Sequence, residues 1–205
     1  MAQRLVRSVW WLVGPLDVQG LDRIPETGPF VLIANHQSYL DPVLIQALIP
    51  RPMYTMAKST EFSSPVVGAL LKRLKSFPAR RFEIDPQAVR MVLRHLQAGR
   101  AVGIYIEGER TWDGRLRAPR LGTLRLLLKA GVPVIPCGIA GAYDVWPRWS
   151  RRNRRGTVRI RIGEPIRLPA LHDREAREKA LPDARDRIMD ALADLSGAER
   201  TDVAG

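Results

Sequence analysis

The sequence predicts an α/β layered fold. Short apolar runs alternate with longer amphipathic segments, and several of the latter open on a polar residue followed by proline. There is no internal repeat and no low-complexity linker, which predicts one domain, and 205 residues suit one core of ordinary size.

Residues 30–34 (Phe-Val-Leu-Ile-Ala) read as a strand buried on both faces. Asp41-Pro42 starts a helix, with the aspartate as N-cap and the proline in the first turn. Residues 53–56 form a short strand. Ser64-Pro65 opens a second helix with Val67, Leu70, Leu71 and Leu74 at helical spacing and Lys72, Arg73 and Lys75 in its last turn. Asp85-Pro86 repeats the start signal, and Val89, Val92, Leu93 and Leu96 give that helix an apolar face that stops near Gly99. Strands are expected at 102–106 and 134–139, a helix at 121–130 ending on Gly131, and a sheet edge at 157–162. The segment 182–195 is amphipathic through Ile188, Leu192 and Leu195.

The chain carries 33 Lys+Arg against 21 Asp+Glu, a formal charge of +12, and the basic residues are 28 arginines and 5 lysines. Arginine suits bidentate recognition of phosphate and carboxylate. Nucleic acid, an anionic membrane surface and a phosphorylated substrate all fit such a charge, and composition does not choose among them. The hydrophobic share of 45% excludes a disordered basic tail. The single cysteine, Cys137, excludes an intrachain disulfide. Histidines at 36, 95 and 172 are too scattered for a histidine-based metal cluster, so no metal is expected.

No segment approaches the about 20 apolar residues of a membrane-spanning helix. The run at 9–13 is short, follows Arg4 and Arg7, and contains Trp10-Trp11, so 1–17 reads either as an interfacial anchor or as a short helix against the core. A second Trp/Arg-rich stretch holds eight arginines between Val145 and Arg167 together with Trp146 and Trp149. It fits a membrane-surface patch, a single-stranded nucleic-acid groove, or a solvated loop.

The chain has no phosphate-binding Gly-Lys-Ser/Thr loop and no nucleophile elbow. What stands out is Asn35-His36-Gln37-Ser38-Tyr39-Leu40-Asp41, between a buried strand and a helix start, where α/β sheets place chemistry. A histidine can take a proton from a hydroxyl on one ring nitrogen while its other nitrogen donates to a carboxylate that fixes the tautomer. Five residues do not share one face of a helix, so the His36–Asp41 pair must straddle a turn, and the helix start at Asp41 supplies one. Alternatively Asp41 simply caps its helix and His36 is a loop histidine. After the strand at 102–106 comes Glu107-Gly108-Glu109-Arg110-Thr111, in which Arg110 could hold a phosphate bidentately while Glu107 orients it or a neighbouring arginine.

Taken in order, these segments resemble the glycerolipid acyltransferase family, most closely its 1-acylglycerol-3-phosphate acyltransferases. The first motif, Asn-His-x-Ser-x-x-x-Asp, is matched by Asn35, His36, Ser38 and Asp41. The second is approximated by Phe77-Pro78-Ala79-Arg80-Arg81, the third by Glu107, Gly108, Arg110 and Thr111, and the fourth by the Val-Pro-Val-x-Pro run with Pro133 and Pro136. Ile106 and Glu109 depart from the third motif, and Phe82 from the small residue common after the second. Glu109 would set a negative charge beside the expected phosphate site.

The resemblance implies a single α/β domain with a mixed, mostly parallel central sheet flanked by helices. Its catalytic region would be 18–168, preceded by a membrane-facing segment at 1–17 and followed by an amphipathic helix and tail at 169–205. It implies transfer of a fatty acyl group from acyl-CoA or acyl carrier protein to the free hydroxyl of a lysophospholipid, with no cofactor. His36 would be general base and Asp41 its orienter, while Arg80, Arg81, Glu107, Gly108 and Arg110 would bind the phosphate, supported by Asn35, Ser38, Thr111, Pro133 and Pro136. The expected location is the cytoplasmic side of the cell membrane, with peripheral or shallow attachment to an anionic surface. Another acceptor, such as glycerol 3-phosphate or another lysolipid, would suit the same motifs. A non-enzymatic basic module binding membrane or RNA leaves the gathering of His, Asp, Glu and Arg at strand ends unexplained.

Overall fold

The computed structural model describes residues 14–80 and 85–201. Its strands are β1 (Leu16–Gln19), β2 (Phe30–Ala34), β3 (Met53–Lys58), β4 (Ser76–Ala79), β5 (Ala101–Tyr105), β6 (Val134–Ala140) and β7 (Val158–Ile162). They form one sheet in the order β1-β7-β6-β2-β5-β3-β4. Neighbours are parallel except β6 and β7, so β1 and β7 run against the other five. The layered α/β architecture and the mostly parallel sheet agree with the sequence reading.

β2 lies at the centre because its residues suit burial on both faces. Phe30, Leu32 and Ala34 join one core with Leu44 and Ile45 of α1 (Asp41–Leu48). Val31 and Ile33 point into the other, with Val92 and Leu96 of α3 (Pro86–Gln97), Leu124 and Leu127 of α4 (Leu121–Ala130), and Ile188 and Leu192 of α6 (Arg174–Ser196). Each such Val, Leu, Ile or Phe side chain removed from water contributes about 1.5–3 kcal/mol. Cys137 of β6 is part of the first core, and burial pushes its thiol pKa up, which leaves it inert.

The start signals act locally as expected at two helices. Asp85 accepts from the backbone N–H groups of Gln87 and Ala88 at 3.0 Å at the head of α3. Ser64 accepts from Val67 at 3.4 Å at the head of α2 (Pro65–Arg73). Gly131 and Gly197 close α4 and α6 in the left-handed conformation that glycine adopts without a Cβ penalty.

Several expectations need correction. Asp41 does not cap α1: it is the first helical residue, and its carboxylate turns back into the preceding loop. The segment 157–162 is not a sheet edge, because β1 lies outside β7. Its alternation instead reflects Val158, Ile160 and Ile162 facing the core while Arg159 is exposed on the other side. The C-terminal helix begins at Arg174, capped by Asp173, and runs through Pro182, whose missing N–H omits one helical hydrogen bond. β4, which contains Pro78, is a true edge, where the absent N–H costs the ladder little.

The expected membrane-facing segment at 1–17 lies almost wholly outside the described residues; its last positions, Leu16 and Asp17, open β1. Among the described residues no helix is long and apolar enough to cross a membrane. A short fifth helix, α5 (Ala142–Val145), follows β6. Beyond α6 the chain returns to the loop before α4, where Leu116 N donates to Glu199 O and Thr201 N donates to Leu116 O, both at 2.9 Å.

α6 lies so close to β6 that a Cβ on Gly138 would sit 2.4–2.5 Å from Leu195 and the Ser196 nitrogen. Gly138→Ala is therefore expected to cost roughly 1–3 kcal/mol of stability, read as a lowered denaturant midpoint. Gly122→Ala in α4, where a Cβ meets open space, should be neutral or stabilising in the same titration.

Candidate active site

The carboxyl ends of β2 and β5 open into two loops that are bonded to each other. As β2 ends, Ala34 O still accepts from Ile106 N at 3.1 Å on the β5 side. On the β6 side the Asn35 side chain takes the place of a strand residue. Its Oδ1 accepts from Ile139 N at 2.7 Å and its Nδ2 donates to Ile139 O at 2.8 Å. The chain can then leave the sheet plane without stranding buried backbone groups.

The next six residues wrap around one carboxylate. Asp41 is fully buried, and its Oδ2 receives Gln37 N at 2.6 Å, Ser38 N at 2.8 Å and His36 Nδ1 at 2.8 Å. That oxygen already accepts from two backbone N–H groups, so it acts as acceptor on the shared edge as well and the imidazole hydrogen belongs on Nδ1. That assignment makes Nε2 the basic nitrogen. The other oxygen, Oδ1, is buried with no hydrogen-bond partner among the described residues. Ser38 closes the loop, accepting from Leu40 N and donating to Trp146 O at 2.8 Å. The His36 ring, itself buried, is stacked on Tyr105 at 4.0 Å between centroids.

The loop after β5 reaches the same place. Thr111 N donates to His36 O at 2.8 Å. Glu107 Oε1 accepts from His36 N at 2.7 Å, and its Oε2 accepts from Arg117 N at 3.1 Å. Both oxygens are thus committed to backbone donors, and Glu107 braces two loops rather than facing a phosphate as expected from sequence. Burial pushes its carboxyl up to about 8, against the pull of those two donors. Gly108, at φ 74, leaves room for the Arg120 side chain, which a Cβ there would approach to 3.0 Å. Thr111 is buried, and its hydroxyl organises the turn that follows, donating to Asp113 and accepting from Gly114 N.

Glu109 is not an exposed negative charge. Arg117 lies 2.6 Å from it, Arg148 3.1 Å and Arg120 3.9 Å. Burial works to raise its pKa, but hydrogen bonds and charge from Arg148 and Arg117 outweigh that and lower it. Arg110 lies over the Tyr39 ring, 3.3 Å from its centroid, with Nε buried and without a hydrogen-bond partner among the described residues.

The structure therefore brings together Asn35, His36, Ser38, Asp41, Glu107, Gly108, Arg110 and Thr111. Arg81 lies outside the described residues, and the exposed Arg80 follows β4, with its backbone N–H bonded to Asp85 at 2.8 Å. Pro133 precedes β6 and Pro136 lies within it: Pro133 O accepts from Val31 N and Pro136 O from Gly163 N. Sequence reasoning missed Tyr39, Tyr105, Arg117 and Arg148 as neighbours of the site. Tyr105 at the strand end carried a usable signal, whereas Arg148 was hidden among the arginines assigned to a membrane patch. Among the described residues no group of three His, Cys, Asp or Glu is placed to hold a metal ion.

The family profile described as "Acyltransferase" matches residues 15–140, which include both loops. The chain is 30% identical over 154 residues to a chloroplastic 1-acyl-sn-glycerol-3-phosphate acyltransferase of Brassica napus, covering 73% of this chain and 44% of that protein. It is 25% identical over 157 residues to the Bacillus subtilis 1-acyl-sn-glycerol-3-phosphate acyltransferase, covering 76% of this chain and 75% of that one. The chain thus spans less than half of the plant relative's length but three quarters of the bacterial one. The crystal structure of the 1-acyl-sn-glycerophosphate acyltransferase PlsC from Thermotoga maritima superposes with a TM-score of 0.75 at 27% identity, over 93% of this chain and 77% of that one. A matching profile over most of the sheet, a shared fold and a His36–Asp41 pair at the strand end lead to one conclusion: the chain belongs to the glycerolipid acyltransferase family.

Proposed function

We propose that this protein transfers a fatty acyl group from an acyl thioester, carried by coenzyme A or acyl carrier protein, to the free hydroxyl of 1-acyl-sn-glycerol 3-phosphate, giving phosphatidic acid. The observation that carries the reading is the His36–Asp41 pair, fixed at 2.8 Å in a loop whose Tyr39 ring carries the Arg110 guanidinium. Asp41 holds the Nδ1–H tautomer, so Nε2 takes the proton of the acceptor hydroxyl as its oxygen attacks the thioester carbon. The Asp41 charge then stabilises the imidazolium. Collapse of the tetrahedral intermediate breaks the carbon–sulfur bond, and the imidazolium returns its proton to the leaving thiolate. The thioester is already activated, so no acyl-enzyme is needed.

Arg110, with Arg80 and Arg81, is assigned to the acceptor phosphate. Holding that group fixes the hydroxyl relative to His36, and such positioning lowers a barrier by several kcal/mol. Asn35, Ser38, Glu107, Gly108 and Thr111 act one step back, by fixing the two loops. The catalytic region is assigned to residues 18–168, with α6 in the following segment bracing the sheet.

We assign membrane contact to α2. Val66 is 80% exposed, Leu70 52% and Val67 38%, and the same helix ends in Lys72 and Arg73 with Lys75 just beyond. Apolar side chains facing outward beside a basic end suit shallow, peripheral binding to an anionic leaflet. That placement would present the enzyme to an acceptor that resides in the bilayer.

The direct test is lipid analysis after incubating the pure protein with acyl-CoA and lysophosphatidic acid; phosphatidic acid is the expected product, and a panel containing glycerol 3-phosphate separates the other acceptor. His36→Ala and Asp41→Asn should each lower turnover by about 10²–10⁴-fold, with circular dichroism unchanged. Full activity in both would end the mechanism. Arg110→Ala should raise KM for the lysophospholipid while leaving KM for the thioester near its original value, as steady-state kinetics would read. The double change Val66→Asp and Leu70→Asp should weaken co-sedimentation with phosphatidylglycerol vesicles and spare turnover of detergent-dispersed acceptor.

A further inference from the structure

We propose that Arg148 is a positioning residue for the acceptor phosphate, acting through Arg110; this rests on the acyl-transfer reading above. Arg148 follows α5, well outside the strand-end loops, in a stretch whose composition suggests a solvent- or membrane-facing patch. Its neighbours Trp149, Arg151 and Arg152 are exposed, yet the Arg148 side chain is only 18% exposed because it turns inward.

Three contacts hold it there. Its Nη1 donates to the Arg110 backbone carbonyl at 2.8 Å and to Glu109 Oε2 at 3.1 Å. Its guanidinium lies over the Trp112 ring, 3.6 Å from the centroid. One side chain therefore grips residues 109, 110 and 112, the stretch that presents the Arg110 guanidinium to Tyr39. A second bond between the same segments joins Tyr143 Oη to Trp112 O at 2.7 Å, which sets the distance but supplies no charge.

The charge matters because Glu109 stands next to Arg110. An unbalanced carboxylate one residue away would oppose an incoming phosphate. Arg117 and Arg148 both hydrogen-bond it, but Arg117 belongs to the same connection between β5 and α4. Arg148 arrives from the segment after α5, so it both offsets Glu109 and fixes the Arg110 main chain from outside. The geometry gives it no direct part at His36.

Steady-state kinetics at saturating acyl-CoA, with lysophosphatidic acid varied, test this in Arg148→Ala, Arg148→Lys, Arg110→Ala and the double variant R148A/R110A. Arg148→Ala should raise acceptor KM about tenfold, with a smaller change in kcat and an unchanged donor KM. Arg148→Lys, which keeps the charge but not the two-acceptor reach, should recover part of the loss. The double variant should be no worse than Arg110→Ala, because the two residues act as one unit. An unchanged acceptor KM overturns the proposal. So do multiplicative losses in the double variant, which would put Arg148 on the phosphate itself, and so does an equal loss in both KM values and kcat with a lowered melting temperature. Calorimetric titration of lysophosphatidic acid without donor reads the same coupling with no turnover. A wild-type protein that binds it but makes no phosphatidic acid overturns the functional reading alone, and the Arg148 comparison is then decided by binding. Failure of the wild type to bind overturns both.

Discussion

One oxygen atom, Asp41 Oδ2, organises the site. It gathers the N–H groups of Gln37 and Ser38 and the Nδ1 edge of His36 within 2.6–2.8 Å. Hydrogen bonds to a charged acceptor are each worth about 1.5–3 kcal/mol, and here they add to the bonds that Glu107, Thr111 and Trp146 make to the same six-residue loop. The same bonds decide the imidazole tautomer. Loop conformation and imidazole orientation are therefore set together. The carboxylate is available for this because the proline after it starts α1 without side-chain capping.

The two glutamates of the second loop illustrate how environment divides identical side chains. Glu107 is buried among backbone donors, and burial raises its pKa to about 8. Glu109, two residues on, lies among guanidiniums and is shifted the other way. The first sets where the loops meet, and the second sets how much of the surrounding arginine charge remains for a ligand. The fully buried β2 beneath them, flanked by β5 and β6, keeps both loops in register.

Much of this was legible in sequence because it depended on local pattern. The uniformly apolar β2, the Ser64-Pro65 and Asp85-Pro86 helix starts and the Gly131 stop are short-range effects, and the structure follows them. The His36–Asp41 spacing was visible, but the direction in which Asp41 turns was not, since a cap and a loop acceptor share one residue type. β1 and β4, four residues each on the sheet edges, carry too little periodicity to register, and β7 took on an edge-like pattern from a solvent-facing side. The first turns of α6 are charge-rich and precede Pro182, so their helicity comes from the Asp173 cap and from packing rather than from pattern. Arg148 was misjudged for a related reason: its partners lie some 38 residues away, and no local feature separates it from the outward-facing arginines around it.

The strand-like pairing of Glu199 and Thr201 with Leu116 gives the site a place in time as well as space. Leu116 precedes Arg117, whose backbone N–H holds Glu107, which in turn holds the backbone of His36. As the chain leaves the ribosome, the dyad segment emerges early, but the residues that tie down this loop come more than 160 positions later. The order in which the pieces appear therefore differs from the order in which they bear on one another, and a change at 199–201 reaches the His36 backbone through Leu116, Arg117 and Glu107 without touching it.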